Sequence, residues 1–370
     1  MEERFLKAGW AKGQPGRAIF LLVVTLLMSF VICAAQSIRM FGDQFGMQVM
    51  CMIPMAFMLG SFQVGKVIGG EYVPQPLKGA ALMVFTGFYA VLVDLAMIRF
   101  LGGGVLHPYV ALTTVTAIVT IFFLGLAFDF WPFNKLSLPA GIFLCILTAY
   151  VIGWIAMRFS NFSVLSFIPG APGPVPFYKE GGPFANMVAP FGPVLWERAA
   201  AYTIWCVTWL WIFTCIGRWP FSKTKMKQPL FGIVFVIVIM LLAWISMLIA
   251  VNGMGMEPLK FNMYGIIIVF GILMMLLIFQ AWPGRLISSP LAGGFINLIL
   301  AIVLGFIGMA FFGSFFEWHF GKAYVYPDNI FTMNTFMLGL LFPMWAMYAD
   351  FFEFWPLPPL PPPPAPPSDT

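Results

Sequence analysis

A carboxylate in the middle of an apolar run is costly in lipid, so the deepest one in the chain is the first candidate for chemistry. It is Asp94, in Tyr89-Ala90-Val91-Leu92-Val93-Asp94-Leu95. Asp94 would serve as a proton or cation site or as counter-charge to a substrate; the structural alternative pairs it with a cation of another helix or subunit. Arg99 follows too far along a helix for an i,i+3 or i,i+4 pair and can snorkel to the interface instead. Asp129 and Glu353 each precede Phe-Trp-Pro, and Asp350 stands one turn before Glu353. These three are candidates for guarding a gate or binding a partner, and solvation at the membrane face is the simpler account of them.

The run Met47-Gln48-Val49-Met50-Cys51-Met52-Ile53-Pro54-Met55-Ala56-Phe57-Met58 collects soft ligands. Thioethers and a thiol suit copper(I), with Met47, Met50, Cys51, Met55 and Met58 as the donors. Methionine is also an adaptable packer, and the chain holds 25 of them, so the expectation is no metal. The five cysteines all fall in apolar runs without zinc spacing and read as buried thiols. Only two histidines occur, His107 and His319, both expected in loops on one face. They offer no pair of imidazoles inside the bilayer for haem. With Glu317, His319 forms a small polar cluster at that outer face. No phosphate loop, zinc-protease helix, dinucleotide fingerprint or supported Ser-His-Asp order is present, and the residues name no cofactor. An embedded enzyme would have to assemble Asp94, His107, Glu180, Glu197, Glu257 or His319 from separate segments.

Such residues need elements to hold them, and the composition says which. Hydrophobic residues make up 61% of the 370 and charged ones 9%, against roughly a quarter charged in soluble domains. The expected class is all-α, a polytopic membrane protein. About 20 apolar residues cross the hydrocarbon layer, and runs of that length lie near 18–38, 45–68, 79–101, 106–130, 138–157, 199–217, 230–252, 262–281, 290–313 and 331–352. Ten transmembrane helices in five hairpins follow, as one domain over 1–355. The first run is too long for a signal-peptide core and is kept as a span.

Cationic residues orient this arrangement. With the N-terminus cytoplasmic, that side holds Arg4, Lys7, Lys12, Arg17, Lys66, Lys78, Lys135, Arg218, Lys223, Lys225, Lys227 and Arg285, and the other side the remaining seven of nineteen. The positive-inside rule then puts both termini in the cytoplasm and the protein in a cytoplasmic membrane. The thin spread of these charges excludes nucleic acid as a partner. Trp-Pro recurs at Trp131-Pro132, Trp219-Pro220, Trp282-Pro283 and Trp355-Pro356, each closing an apolar run. After the first three, a proline and a glycine open the next: Pro139 with Gly141, Pro229 with Gly232, Pro290 with Gly293. The repeating unit is a pair of helices, and no inverted repeat is visible.

The connection 160–197 is rich in Pro, Gly and aromatics and too apolar for a solvated linker, so it is expected to pack on the helices or dip into the interface. The tail 356–370 reads as cytoplasmic polyproline II. Two functions fit. One is a permease or secondary transporter of a small solute, with Asp94 as the ion site and Thr113, Thr114, Thr116 and Thr120 nearby in sequence. The other is a non-catalytic subunit that organises a larger membrane complex. Lipid is the certain partner of either, and other membrane subunits or further copies of the chain are candidate ones.

Overall fold

A computed structural model describes residues 13–62, 73–166, 173–322 and 330–357. It is mostly helical with little sheet. Ten helical stretches run through it: α1 Gly16–Ala34, α2 Met40–Ser61, α3 Leu77–Phe100, α4 Pro108–Leu126, α5 Leu138–Arg158, α6 Trp196–Cys215, α7 Leu230–Gly253, α8 Pro258–Ile278, α9 Pro290–Phe320 and α10 over 330–350. Proline stands in the first turn of α4, α5, α8 and α9, where its fixed φ suits a helix and its missing N–H is not required. Among the described residues, eight helices are long and apolar enough to cross a membrane; α6 and α10 are not among them. The end of the second expected run, 63–68, and the tail from 358 lie outside the described residues.

The helices sort into a ring and a belt. In α3 only 17% of the spanning window is buried, whereas in α8 it is 78%. Burial is similarly low in α1, α5, α7 and α9 and high in α2 and α4, and α6 buries most of its length. Each even-numbered helix packs on the next, α2 on α4, α4 on α6, α6 on α8, α8 on α10, and α10 closes the circle on α2. The odd-numbered helices lie outside. Along their lengths α3 packs on α2, α5 on α4, α7 on α6, α9 on α8, and α1 on α10 and the end of α8. Their outward faces carry residues such as Val84, Phe88, Leu95, Ile299, Val303 and Ile307, all exposed in the isolated chain and suited to lipid. Backbones approach closely where the small residues allow: a Cβ on Gly271 of α8 would collide with the Ala301 carbonyl of α9.

One cap closes α4, α6, α8 and α10. The two residues before each tryptophan are left-handed: Asp129 and Phe130 (φ 49° and 60°), Gly217 and Arg218 (70° and 58°), Gln280 and Ala281 (51° and 59°), Glu353 and Phe354 (51° and 62°). Each tryptophan N–H then donates to the carbonyl three residues back, on Phe128, Ile216, Phe279 and Phe352, at 2.9, 3.4, 3.0 and 2.8 Å. These bonds satisfy carbonyls that a helix end otherwise orphans. The Trp-Pro repeat is therefore a repeat of conformation.

Belt helices start against these caps. Gln228, Gln75 and Gln14 each precede a proline, and their Nε2 donates to the carbonyls of Ala127 (2.8 Å), Phe351 (2.7 Å) and Ile278 (3.2 Å). Each carbonyl lies four residues before a cap tryptophan. The same amides accept through Oε1 from the N–H four residues on, at Gly232, Gly79 and Ala18, each at 3.2 Å. A Cβ on Gly232 or Gly79 would meet the Phe128 or Phe352 ring, and one on Gly294 of α9 would meet Ile216. All three contacts fall three residues before a tryptophan. So α7 begins on the end of α4, α3 on α10, α1 on α8 and α9 on α6. Each of these belt helices lies along one ring helix and starts at the tip of the ring helix before it.

The opposite face carries the described parts of the connection, 160–166 and 173–195. Short strands β1 Ser160–Asn161 and β4 Val194–Leu195 pair in parallel, and β2 Val164–Leu165 and β3 Val175–Pro176 antiparallel. Phe162 and Phe177 stack on Trp196 at 5.9 and 5.4 Å, with Tyr109, Tyr178 and Phe184 around them. Glu197 accepts from both the N–H and the hydroxyl of Ser166. These described parts pack on the start of α4 and α6 through these aromatics.

Candidate functional site

Among the described residues the ring lines two stacked cavities. The larger, about 630 Å3, is walled by stripes at helical spacing: Ala111, Val115, Ile118 and Phe122 of α4; Ala200, Ile204 and Val207 of α6; Asn262, Ile266, Val269 and Leu273 of α8; Thr335, Leu338, Gly339 and Phe342 of α10; and Met50 and Ile53 of α2. The smaller, about 170 Å3, continues the same stripes toward the caps with Ala56, Gly60, Trp211, Leu277, Ala346 and Asp350. Ile53, Leu273 and Phe342 line both. Between them Phe122 meets Trp211 edge-on at 5.5 Å and Phe342 at 6.0 Å. A septum of aromatic rings and two aliphatic side chains thus divides the axis.

The loop-face end of the large cavity is polar. His107, Asn262, Thr332, Asn334, Thr335 and the exposed Arg39 line it, with Phe184 of the packed connection and Met157 of α5 beside them. His107 caps the start of α4, and burial pushes its imidazole below the usual pKa, favouring the neutral ring. Its Nδ1 lies 2.8 Å from the Tyr178 hydroxyl oxygen, which also accepts from the Tyr109 N–H at 3.0 Å. Burial raises the Tyr178 pKa, so the phenol keeps its proton. That proton has no other acceptor among the described residues, so it is assigned to Nδ1, and the imidazole hydrogen then sits on Nε2. Nε2 itself has no partner, nor have Oδ1 of Asn262 and Oδ1 of Asn334. Unmade bonds of this kind are rare at buried polar atoms and ask for an explanation.

The chain matches no known family model, curated protein or solved structure.

Asp94 lies elsewhere. It is buried on the α3 stripe of Ala90 and Met97, which packs against Met47 and Cys51 behind α2. Its Oδ1 is buried without a hydrogen-bond partner among the described residues, and the hydroxyls of Tyr89 and Tyr150 lie buried beside each other and the Cys51 thiol. Asp94 lines neither cavity, yet α2 separates it from both, with Cys51 on one side and Met50 and Ile53 on the other. Pro54 inside α2 removes the hydrogen bond to the Met50 carbonyl, a built-in weak point at the level of the septum.

The other candidate residues separate in the same way. Asp350 reaches the small cavity. Asp129 and Glu353 are partly exposed cap residues, paired with Arg218 at 3.1 Å and Lys78 at 2.8 Å. Met47 and Cys51 share one apolar cluster, Met55 and Met58 another, and Met50 faces the cavity. Glu317 and His319, expected in a loop, stand in the last turn of α9, which runs on to Phe320 because Phe315, Phe316 and Phe320 keep packing, and ends at Gly321 with φ 96°. Among the described residues no three His, Cys, Asp or Glu side chains gather as a metal site requires. Near the loop face, burial raises the Glu257 pKa, the Glu197 carboxylate adds to that, and Lys260 opposes it.

Residues the sequence reading passed over include Asn262, Asn334, Phe122, Trp211 and the three Gln-Pro dipeptides. Only the last had a signal: Gln14-Pro15, Gln75-Pro76 and Gln228-Pro229 each open an apolar run.

Proposed function

We propose that the protein is a membrane permease in which all ten helical stretches span, as five pairs of one belt and one ring helix, and that a small solute passes along the axis of the ring. The observation that carries this reading is the pair of stacked cavities divided by Phe122, Trp211 and Phe342. A polar vestibule on one side, a closed septum and a smaller chamber on the other fit a carrier held with its outer cavity formed. The excess of cations toward the cap face supports a cytoplasmic cap face, with the large cavity toward the outside.

In this reading Asp94 is the proton or ion site. A charge change behind α2 acts on the solute path in front of it through the segment that Pro54 weakens, so loading the site and opening the septum are two states of one helix. Asp94→Asn then leaves downhill solute movement in place and abolishes its dependence on a pH gradient.

The test is permeability of proteoliposomes holding the full chain. Phe122→Ala is expected to raise glycerol or urea permeation, read by stopped-flow light scattering, at least tenfold over wild type. Vesicles no leakier than empty liposomes would overturn the axial route. Co-purification with other chains, together with such a closed axis, would favour the complex-subunit reading instead.

A further inference from the structure

The large cavity also indicates what it holds. Its volume of about 630 Å3 lies in the range of small-molecule sites, and below the vestibule its wall is aliphatic and aromatic apart from Thr116 and Thr203. Among the described residues no carboxylate or lysine lines it, and the one permanent charge among them, Arg39, is exposed at the rim. Three polar atoms near its loop-face end lack partners: His107 Nε2, the Asn262 Oδ1 and the Asn334 Oδ1. His107 and Asn262 are 3% and 5% exposed, so bulk water does not serve them.

The hydrogen-bond arithmetic is specific. With its Nδ1 taken by Tyr178, the imidazole turns a single N–H donor to whatever occupies the site. The two amide oxygens accept. A matching ligand head must therefore both accept and donate, and the described lining favours a neutral one, because among the described residues a buried carboxylate or ammonium would find no opposite charge at the depth of Asn262. Its body must be apolar to replace lipid-like contacts along α4, α6 and α8.

We propose that the cavity is a binding site for a neutral amphipathic molecule with a primary carboxamide or hydroxyl head, bound by His107, Asn262 and Asn334, and an apolar body of up to drug size. The assignment rests on the axial-permease reading for its transport meaning, but binding is measurable without transport.

The experiment uses the full chain in lipid nanodiscs, with empty nanodiscs subtracting membrane partitioning. Tritiated 1-naphthamide and octanamide are the probes, and naphthalene, 1-naphthoate and octanoate at pH 7.5 are the competitors. Saturable binding of at least one amide is expected, with the carboxylates and naphthalene at least tenfold weaker. His107→Phe and, separately, Asn262→Leu should each weaken that binding about tenfold; Asn262→Leu does not disturb the Tyr178 contact, so it stands if the histidine variant fails to fold. No saturable binding of either amide, or carboxylates binding as well as the amides, would overturn the assignment. Binding with the expected ranking in a protein that adds no permeability would keep the site and remove the permease.

Discussion

At the cap end of the ring, polar side chains such as Gln228, Gln75 and Asp129 find partners on other helices, although the Gln280 Oε1 does not; at the loop end of the cavity, several lack them. Gln228 spans from the start of α7 to the Ala127 carbonyl and Asp129, and Asp129 also takes Arg218. Gln75 and Lys78 do the same for Phe351 and Glu353. At the other end of the ring, His107, Asn262 and Asn334 line a cavity with unmade bonds. A made bond fixes helices relative to each other, whereas an unmade one at a cavity wall is held ready for something that is not part of the chain. The cap end is architecture and the vestibule is recognition. Asp94, whose Oδ1 has no partner among the described residues, resembles the vestibule in this respect, which is why it stays in the functional account although it lies off the axis.

The contrast breaks most visibly with Gly232→Val. Any Cβ there meets the Phe128 ring at the tip of α4, and a branched one forces the α7 start away from its cap. Loss of the monodisperse peak in size-exclusion chromatography is expected. A well-folded variant would mean that the caps do not set where belt helices begin.

Gln228→Leu is gentler. It leaves the Ala127 carbonyl and the Gly232 N–H without their partner, at a cost of about 1–3 kcal/mol for a desolvated group. The apparent Tm should fall by several degrees while amide binding in the vestibule stays within twofold. A binding loss that outruns the stability loss would erase the distinction between the two ends.

How much of this was legible follows from what lipid hides. The order of the ten runs and the Trp-Pro repeat could be read because prolines and tryptophans mark helix ends whatever surrounds them. The Gln-Pro half of the same device went unread, because its partners lie far away in sequence: Gln75 answers Phe351 and Gln228 answers Ala127. Ring and belt could not be separated, since Val115 facing a cavity and Val84 facing lipid are the same residue type. In a soluble helix a polar face would have marked the outside. Asp94 stood out by its cost in lipid, while Asn262 and Asn334, equally informative in the fold, carry no charge to draw the eye.

Gly339→Leu turns the comparison to the axis. A Cβ there meets only Thr335 and Met50, at 3.6 and 3.9 Å, so the position accepts a side chain that then projects into the large cavity. Amide binding should fall at least tenfold, the equivalent of about 1.4 kcal/mol, with Tm unchanged or raised, because leucine is the better helix former. Unaltered binding would move the ligand out of the ring.

The smallest effect is expected from Asp129→Asn, and it separates the two jobs of a cap residue. Asp129 is left-handed at φ 49°, a conformation that asparagine tolerates nearly as well. The variant keeps an oxygen for Gln228 and loses the attraction to Arg218, a partly exposed pair at 3.1 Å. Such pairs contribute about 0–1 kcal/mol and are screened by salt. The Tm should therefore shift by no more than a degree or two, and less still in 0.5 M salt. Asp129→Ala, which also pays the left-handed penalty of about 1–2 kcal/mol, should cost clearly more at any salt concentration. Equal losses for the two variants would mean that the charge, and not the backbone geometry of the cap, is what the fold needs at this position.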